Sequence, residues 1–111
     1  RMDKTSLYES FLQRAKETPS AIAVRDERRS LSYDELRLLA DTIAARLPHC
    51  VRFVGIVMDH GAEMIAAMLA VLKLGAAYVP AEPGFPVERI RFMLTEADVD
   101  AVVRPAVEEL L

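Results

Sequence analysis

Residues 51–80, VRFVGIVMDHGAEMIAAMLAVLKLGAAYVP, contain the pattern that decides the fold. The first eight, 51–58, are nearly all apolar and do not alternate with polar residues, which predicts a central strand covered on both faces. Residues 62–74 are apolar almost all round, as in a buried helix, and Gly75 suits the C-terminal cap of that helix. Residues 76–79 are again strand-like, and this strand is expected to stop before the proline that follows, because proline is poorly tolerated within a sheet.

The alternation of strands and helices continues toward the C-terminus. Pro86 suits the first turn of a helix that runs to about Ala97. Residues 100–103 predict a last short strand, and Pro105 opens a further helix. Strand–helix–strand connections of this length require parallel strands with helices packed on the sheet. The predicted fold class is α/β, a layered and mostly parallel sheet flanked by helices, and the sheet looks incomplete.

The N-terminal half predicts two helices that enclose a hairpin. Capping-box patterns, Ser6-x-x-Glu9 and Ser32-x-x-Glu35, each precede apolar residues at helical spacing, and prolines at 19 and 48 end the two helices. Between the helices, the short runs 21–24 and 30–33 flank a charged turn and predict a hairpin or a pair of edge strands.

Length and composition limit the classes of protein to which the chain can belong. The 111 residues form one domain or part of one, and 52% of them are hydrophobic. Because a chain of this size buries only ~65% of its unfolded surface, we expect apolar surface that packs on the rest of a larger domain or causes the isolated chain to self-associate. The net charge of −3 gives no electrostatic reason to expect nucleic acid or an anionic membrane as a partner.

Cysteine usage and hydropathy favour the cytoplasm. Cys50 is the only cysteine, so the sequence contains no disulfide framework and no thiolate metal cluster. The longest apolar stretch, 64–72, is much shorter than the ~20 residues that a membrane span needs. The N-terminus shows no signal-peptide core, and we expect Met2, which follows Arg1, to be the native start.

Local patterns for chemistry are weak throughout the sequence. The pair His49-Cys50 is best explained as loop residues. Asp59-His60-Gly61 follows the central strand, where open α/β sheets place ligands, but Asp59 is better explained as the N-cap of the next helix. The four glycines are too scattered to form a phosphate-binding loop. The charged residues of the last complete helix predict a solvated face with pairs at i,i+3 or i,i+4, and the methionines predict core filling. No catalytic, cofactor-binding or metal-binding residue can be named.

The order of three segments resembles a known family. LSYDEL (31–36), the stretch 54–83 and the stretch 85–103 resemble the N-terminal part of amino-acid adenylation domains of the nonribosomal peptide synthetase type, in the adenylate-forming, AMP-binding superfamily. The first family motif, L-T/S-Y-x-E-L, is matched in full. The second, L-K-A-G-x-A-Y-V-P, is matched at Leu72, Lys73, Gly75, Ala77, Tyr78, Val79 and Pro80. Departures include Leu74, Ala81, Glu82 and Phe85.

The resemblance implies that residues 1–111 are an N-terminal fragment of the large core subdomain of such an enzyme. The implied activity is ATP- and Mg²⁺-dependent conversion of an amino acid to its aminoacyl-AMP, followed by transfer to the phosphopantetheine thiol of a carrier protein. The implied partners are the remainder of the adenylation domain, a carrier protein and an MbtH-like helper. In the family, the phosphate loop, the substrate pocket and the catalytic Lys lie downstream, so no cofactor site is assigned to this fragment. A native start at Met2 would leave no preceding condensation domain, as in a stand-alone or loading enzyme.

Two alternatives remain open at this point. The first is an acyl- or aryl-acid CoA ligase of the same superfamily. The second is a non-catalytic, truncated subdomain that docks a partner. In each case we expect Tyr78 to be framework, so that Tyr78→Ala lowers stability before it affects any binding constant.

Overall fold

The computed structural model describes residues 4–105, which fold into four helices and five strands in the order that the sequence predicts. The elements are α1 (Lys4–Glu17), β1 (Ile22–Arg25), β2 (Ser30–Ser32), α2 (Tyr33–Ala45), β3 (Phe53–Val57), α3 (Ala62–Lys73), β4 (Ala77–Ala81), α4 (Val87–Ala97) and β5 (Ala101–Val103). The helix predicted after Pro105 lies outside the described residues.

Strands β3, β4 and β5 form a parallel sheet in the order β4-β3-β5. The central strand β3 pairs Val54 with Tyr78 on one side and with Ala101 on the other. Val54 and Ile56 are completely buried, and Val57 is 2% exposed. The prediction of a central strand without polar alternation is confirmed, because both faces of β3 are covered.

The two faces of the sheet carry different helices. Val54 and Ile56 belong to the cluster that contains Val71 of α3, whereas Val57 on the opposite face packs with Ile90 of α4. Right-handed crossovers explain this division. The connection from β3 to β4 and the connection from β4 back across β3 to β5 run in opposite directions, so their helices lie on opposite faces.

Strand β4 extends further than the sequence predicts. It runs through Pro80 to Ala81, with Pro80 paired opposite Ile56, so the prediction that it stops at Val79 is wrong. Within the described sheet β4 is an edge strand, where a proline can be accommodated because one side of the strand has no partner that requires an N–H.

A second cluster joins the N-terminal hairpin to the helices. Strands β1 and β2 pair antiparallel, as predicted, and Leu31 of β2 packs with Leu36 of α2 and Ala62 of α3. The capping box at the start of α2 is confirmed: the Glu35 N–H donates to Ser32 Oγ at 3.1 Å, and the Ser32 N–H donates to Glu35 Oε1 at 2.8 Å.

The caps of α1 and α3 give opposite outcomes. Helix α1 already begins at Lys4, so Ser6 lies inside the helix and the predicted capping box there is wrong: helical geometry starts two residues before it. At the end of α3, Gly75 has φ +75°, as predicted for a C′ residue. The Gly75 N–H donates to Leu72 O at 3.0 Å and the Ala76 N–H to Val71 O at 3.1 Å, which is the Schellman arrangement.

Candidate functional site

The carboxyl edge of the parallel sheet is the candidate ligand-facing surface. The chain leaves β3 toward α3 on one face of the sheet and leaves β4 toward α4 on the other. Two neighbouring strands whose connections diverge in this way leave a crevice between their carboxyl ends, and open α/β sheets bind their ligands at such points. By this topology the walls of the crevice are the β3–α3 loop, residues 58–61, and the β4–α4 loop, residues 82–86.

Two side chains, His60 from one wall and Glu82 from the other, approach each other across the crevice. His60 Nε2 and Glu82 Oε1 are 3.9 Å apart, and these side chains are 83% and 62% exposed. The distance is too long for a hydrogen bond, and an exposed pair of this kind contributes little to stability. The sequence pattern placed His60 at this edge, while its proximity to Glu82 depends on the pairing of β3 with β4.

The N-terminus of α3 is capped from a distant part of the chain. The helix starts after Gly61, which has no side chain to cap it, and Asp26 Oδ2 accepts the Ala62 N–H at 2.7 Å. The prediction that Asp59 caps this helix is therefore wrong, because the hairpin places the carboxylate of Asp26 at the Ala62 N–H. A carboxylate at a helix N-terminus also interacts favourably with the helix dipole.

The carboxylate of Asp26 is held by three backbone donors. Besides Ala62, the N–H groups of Arg28 and Arg29 donate to Asp26 Oδ1 at 2.8 and 2.9 Å. These hydrogen bonds, the one from Ala62 first, lower the pKa of Asp26 to about 2. Sequence reasoning missed this residue. An Asp that opens a turn is a recognisable local signal, but its bond to Ala62, 36 positions away, is not.

Lys73, the lysine of the second family motif, lies at the opposite end of the fold. Helix α3 runs back from the carboxyl edge to the amino edge of the sheet, and Lys73 is its last residue. Lys73 Nζ donates to Asp41 Oδ1 at 2.8 Å, and Asp41 Oδ2 accepts from Arg37 at 3.3 Å. The hydrogen bond to Asp41 raises the pKa of Lys73. Within the described residues this cation therefore connects α3 to α2 and does not face the crevice.

The remaining candidate residues are not assembled into a site. His49 and Cys50 are exposed in the loop before β3, so a strand of about 17 Å separates them from His60. The solvated face of α4 is confirmed by the ion pair between Arg91 and Glu88 at 3.2 Å. Among residues 4–105 no group of three or more His, Cys, Asp or Glu side chains could hold a metal ion.

The methionines that were predicted to fill the core do so. Met58 and Met64 are buried, and Met68 and Met93 pack against core clusters. In the part of the chain that the structure describes, no helix combines the length and the apolar character needed to cross a bilayer.

Comparison with known proteins identifies the fold to which this edge belongs. The family model described as AMP-binding enzyme matches residues 11–111, nearly the whole chain. The chain belongs to the AMP-binding enzyme family. The parallel sheet and its flanking helices are the N-terminal part of the AMP-binding fold, and the resemblance stated from the LSYDEL segment and the second motif is confirmed.

Similar proteins include much longer synthases. The chain is 39% identical over 101 residues to polyketide synthase PksN of Bacillus subtilis (strain 168) and 42% identical over 96 residues to gramicidin S synthase 2 of Brevibacillus brevis. The alignments cover 87% and 81% of this chain, and the chain spans 2% of the length of each relative.

Solved structures agree with the family assignment. The nonribosomal peptide synthetase FmoA3, bound to α-methyl-L-serine-AMP, matches with a TM-score of 0.84 and 34% identity over 90% of this chain and 12% of FmoA3. IdnL7 matches with a TM-score of 0.74 and 34% identity over 88% of this chain and 20% of its own. The N-terminal subdomain of Klebsiella oxytoca NpsA, at 24% identity and a TM-score of 0.77, has the same fold.

Proposed function

We propose that this chain is part of an amino-acid adenylating ligase of the nonribosomal peptide synthetase type. The whole enzyme uses ATP to convert an amino-acid carboxylate to an aminoacyl-AMP and transfers the aminoacyl group to the phosphopantetheine thiol of a carrier protein. The observation that carries the proposal is the match, at a TM-score of 0.84, to a synthetase with an aminoacyl adenylate bound. The identity to gramicidin S synthase 2 points to the same class of enzyme.

Within that enzyme the described residues supply framework and the two loops, 58–61 and 82–86, on either side of the crevice. The scattered glycines Gly55, Gly61, Gly75 and Gly84 form no cradle of successive N–H groups for a phosphate. Charge stabilisation of the transferring phosphoryl group, and any Mg²⁺ that assists it, must therefore come from other parts of the full-length protein. Alone, the 111-residue piece is catalytically inactive under this proposal.

The proposal also concerns domain organisation and partners. Residues 1–111 form the N-terminal part of the large core subdomain, in keeping with the 12% of FmoA3 that they cover. Val87 and Phe92 of α4 are 67% and 64% exposed, and exposed apolar side chains of this size favour contact with the rest of the subdomain. A carrier protein and an MbtH-like protein complete the set of proposed partners, and the proposed location is the cytoplasm.

The test is ATP–pyrophosphate exchange with the full-length protein that contains this chain. We expect exchange that depends on one or a few amino acids, because formation of the aminoacyl-AMP is reversible and returns labelled pyrophosphate to ATP. Matched reactions with fatty and aryl acids serve as the control. Exchange supported by those acids but by no amino acid would reject the proposal in favour of an acyl- or aryl-acid CoA ligase.

A further inference from the structure

One wall of the crevice at the carboxyl edge, the β3–α3 loop, is held in place by a residue outside that loop. The β3–α3 loop contains the exposed residues Asp59 and His60, and at its end the chain enters α3 through Gly61. Gly61 has no side chain that could cap the helix. The only side chain that the described residues offer to the first N–H of α3 is that of Asp26, which belongs to the turn between β1 and β2.

Asp26 is suited to fix this loop because it is fixed itself. One carboxylate oxygen closes the hairpin turn through the N–H groups of Arg28 and Arg29, and the other accepts the Ala62 N–H at 2.7 Å. The hairpin is anchored in turn by Leu31, which is 8% exposed and packs on Ala62 and Ala66 of α3. The turn, the carboxylate and the loop therefore form one connected unit.

The contact leaves no space for a larger residue at the start of α3. A Cβ placed on Gly61 would lie 2.9 Å from Asp26 Oδ2, and the next nearest atoms also belong to Asp26. The backbone of Gly61, with φ 167°, is extended and open to any residue type. The obstacle to a side chain here is thus the Asp26 carboxylate and not the backbone conformation.

We infer that Asp26 is a positioning residue: from the β1–β2 hairpin it sets the place of the β3–α3 loop, and so of one wall of the crevice in which the complete enzyme binds a substrate. This inference rests on the proposed function for the identity of the substrates. Asp26 itself faces the Ala62 N–H and acts only through the loop.

The test uses the full-length protein and separates binding from folding. Asp26→Ala removes the acceptor, Asp26→Asn leaves a carbonyl that can serve only one of the two sides, and Gly61→Ala pushes the carboxylate away. Glu27→Ala, in the same turn, is the matched control. For each variant we measure KM and kcat for ATP, the amino acid and the carrier protein, the melting temperature, and hydrogen exchange at the Ala62 amide.

We expect Asp26→Ala to raise KM for at least one substrate about tenfold and to keep kcat within about twofold of the wild-type value. The tenfold effect is smaller than the roughly hundredfold loss that a 1 Å misplacement can cause. Loss of folded protein alone would lower kcat and leave KM unchanged. Gly61→Ala should act in the same direction, and in the Asp26→Ala background it should add nothing, because the methyl group then meets no carboxylate. Asp26→Asn should be intermediate, and Glu27→Ala should match the wild type.

Three results would overturn the inference. The first is unchanged KM for every substrate in an Asp26→Ala variant whose Ala62 amide exchanges faster. The second is unchanged exchange at that amide, and the third is full additivity of Asp26→Ala and Gly61→Ala. Failure of the proposed function looks different, since the wild type would then show no amino-acid-dependent ATP–pyrophosphate exchange. In that case KM and kcat of the variants are measured with the acids that do support ATP–pyrophosphate exchange. Hydrogen exchange at the Ala62 amide and the double mutant are judged as before.

Discussion

Ile56→Ala tests whether the central strand is the rigid core of the fold. Ile56 is completely buried in β3, where it pairs with Pro80 of β4 on one side and Val103 of β5 on the other. Three carbon atoms lost from a buried side chain cost about 2.5 kcal/mol in transfer free energy alone. A strand with hydrogen-bonded neighbours on both sides cannot collapse into the space, so we add a cavity term and expect about 4 kcal/mol, within the range for Ile→Ala.

The assay is urea unfolding of the adenylation domain that contains this chain, followed by circular dichroism. The loss lowers the urea midpoint by the lost free energy divided by m at unchanged m, which is roughly 2 M for an m-value of about 2 kcal/mol per molar and less in proportion for the larger m of a larger domain. Val102→Ala is the control: Val102 lies on β5 and is 39% exposed, so we expect a loss of only about 1 kcal/mol. Equal shifts for the two variants would refute the conclusion that β3 is the unyielding centre of the sheet.

Four further predictions concern single contacts. Gly55→Val should cost about 2 kcal/mol in unfolding free energy, because a Cβ at Gly55 would lie 2.6 Å from Leu94 Cδ2 and the Leu94 side chain must move to admit the added methyl groups. Ser32→Ala should cost about 1 kcal/mol through loss of the capping box, again measured by urea unfolding. Tyr78→Ala should lower the melting temperature, at a cost of about 2 kcal/mol because Tyr78 is only partly buried against the core, and leave the Kd for ATP unchanged. The pKa of Asp26 in the folded protein is about 2, below its ordinary 3.8. Its contribution to stability is therefore complete above about pH 4 and is lost as the pH falls toward 2. Asp26→Ala should flatten that part of the stability profile, measured by unfolding as a function of pH.

Controls and contrary outcomes differ among these variants. Gly84→Ala places its Cβ in open space and should leave stability unchanged, so equal losses at Gly55 and Gly84 would contradict the steric explanation. Ser30→Ala, on an exposed β2 residue, is the control for the cap. A Tyr78→Ala protein that melts normally but no longer binds ATP would show that Tyr78 is more than framework. If Asp26→Ala loses as much stability between about pH 4 and pH 2 as the wild type, other carboxylates govern this pH range.

The candidate site was predictable only in outline. A polar segment after an unbroken apolar strand located Asp59 and His60 at the carboxyl edge, because parallel strands place their carboxyl ends together. The capping residue of α3 was assigned to the wrong aspartate, since a local pattern favours the nearest acceptor. The acceptor that the fold uses comes from the hairpin, whose Leu31 packs on α3 and so places Asp26 beside Ala62.

The sequence by itself determined the order of the elements, the central place of β3 and the caps at Ser32 and Gly75. Each of these depends on hydrophobic pattern or on backbone preferences that act over a few residues, which is the range that a sequence exposes directly. Tertiary structure alone decided the extent of β4 and the partner of Asp26. A proline can remain in a strand when that strand lies at an edge, and a carboxylate can cap a helix 36 residues away when packing brings it there. Both outcomes depend on which elements become neighbours, and that is fixed by burial of the whole chain.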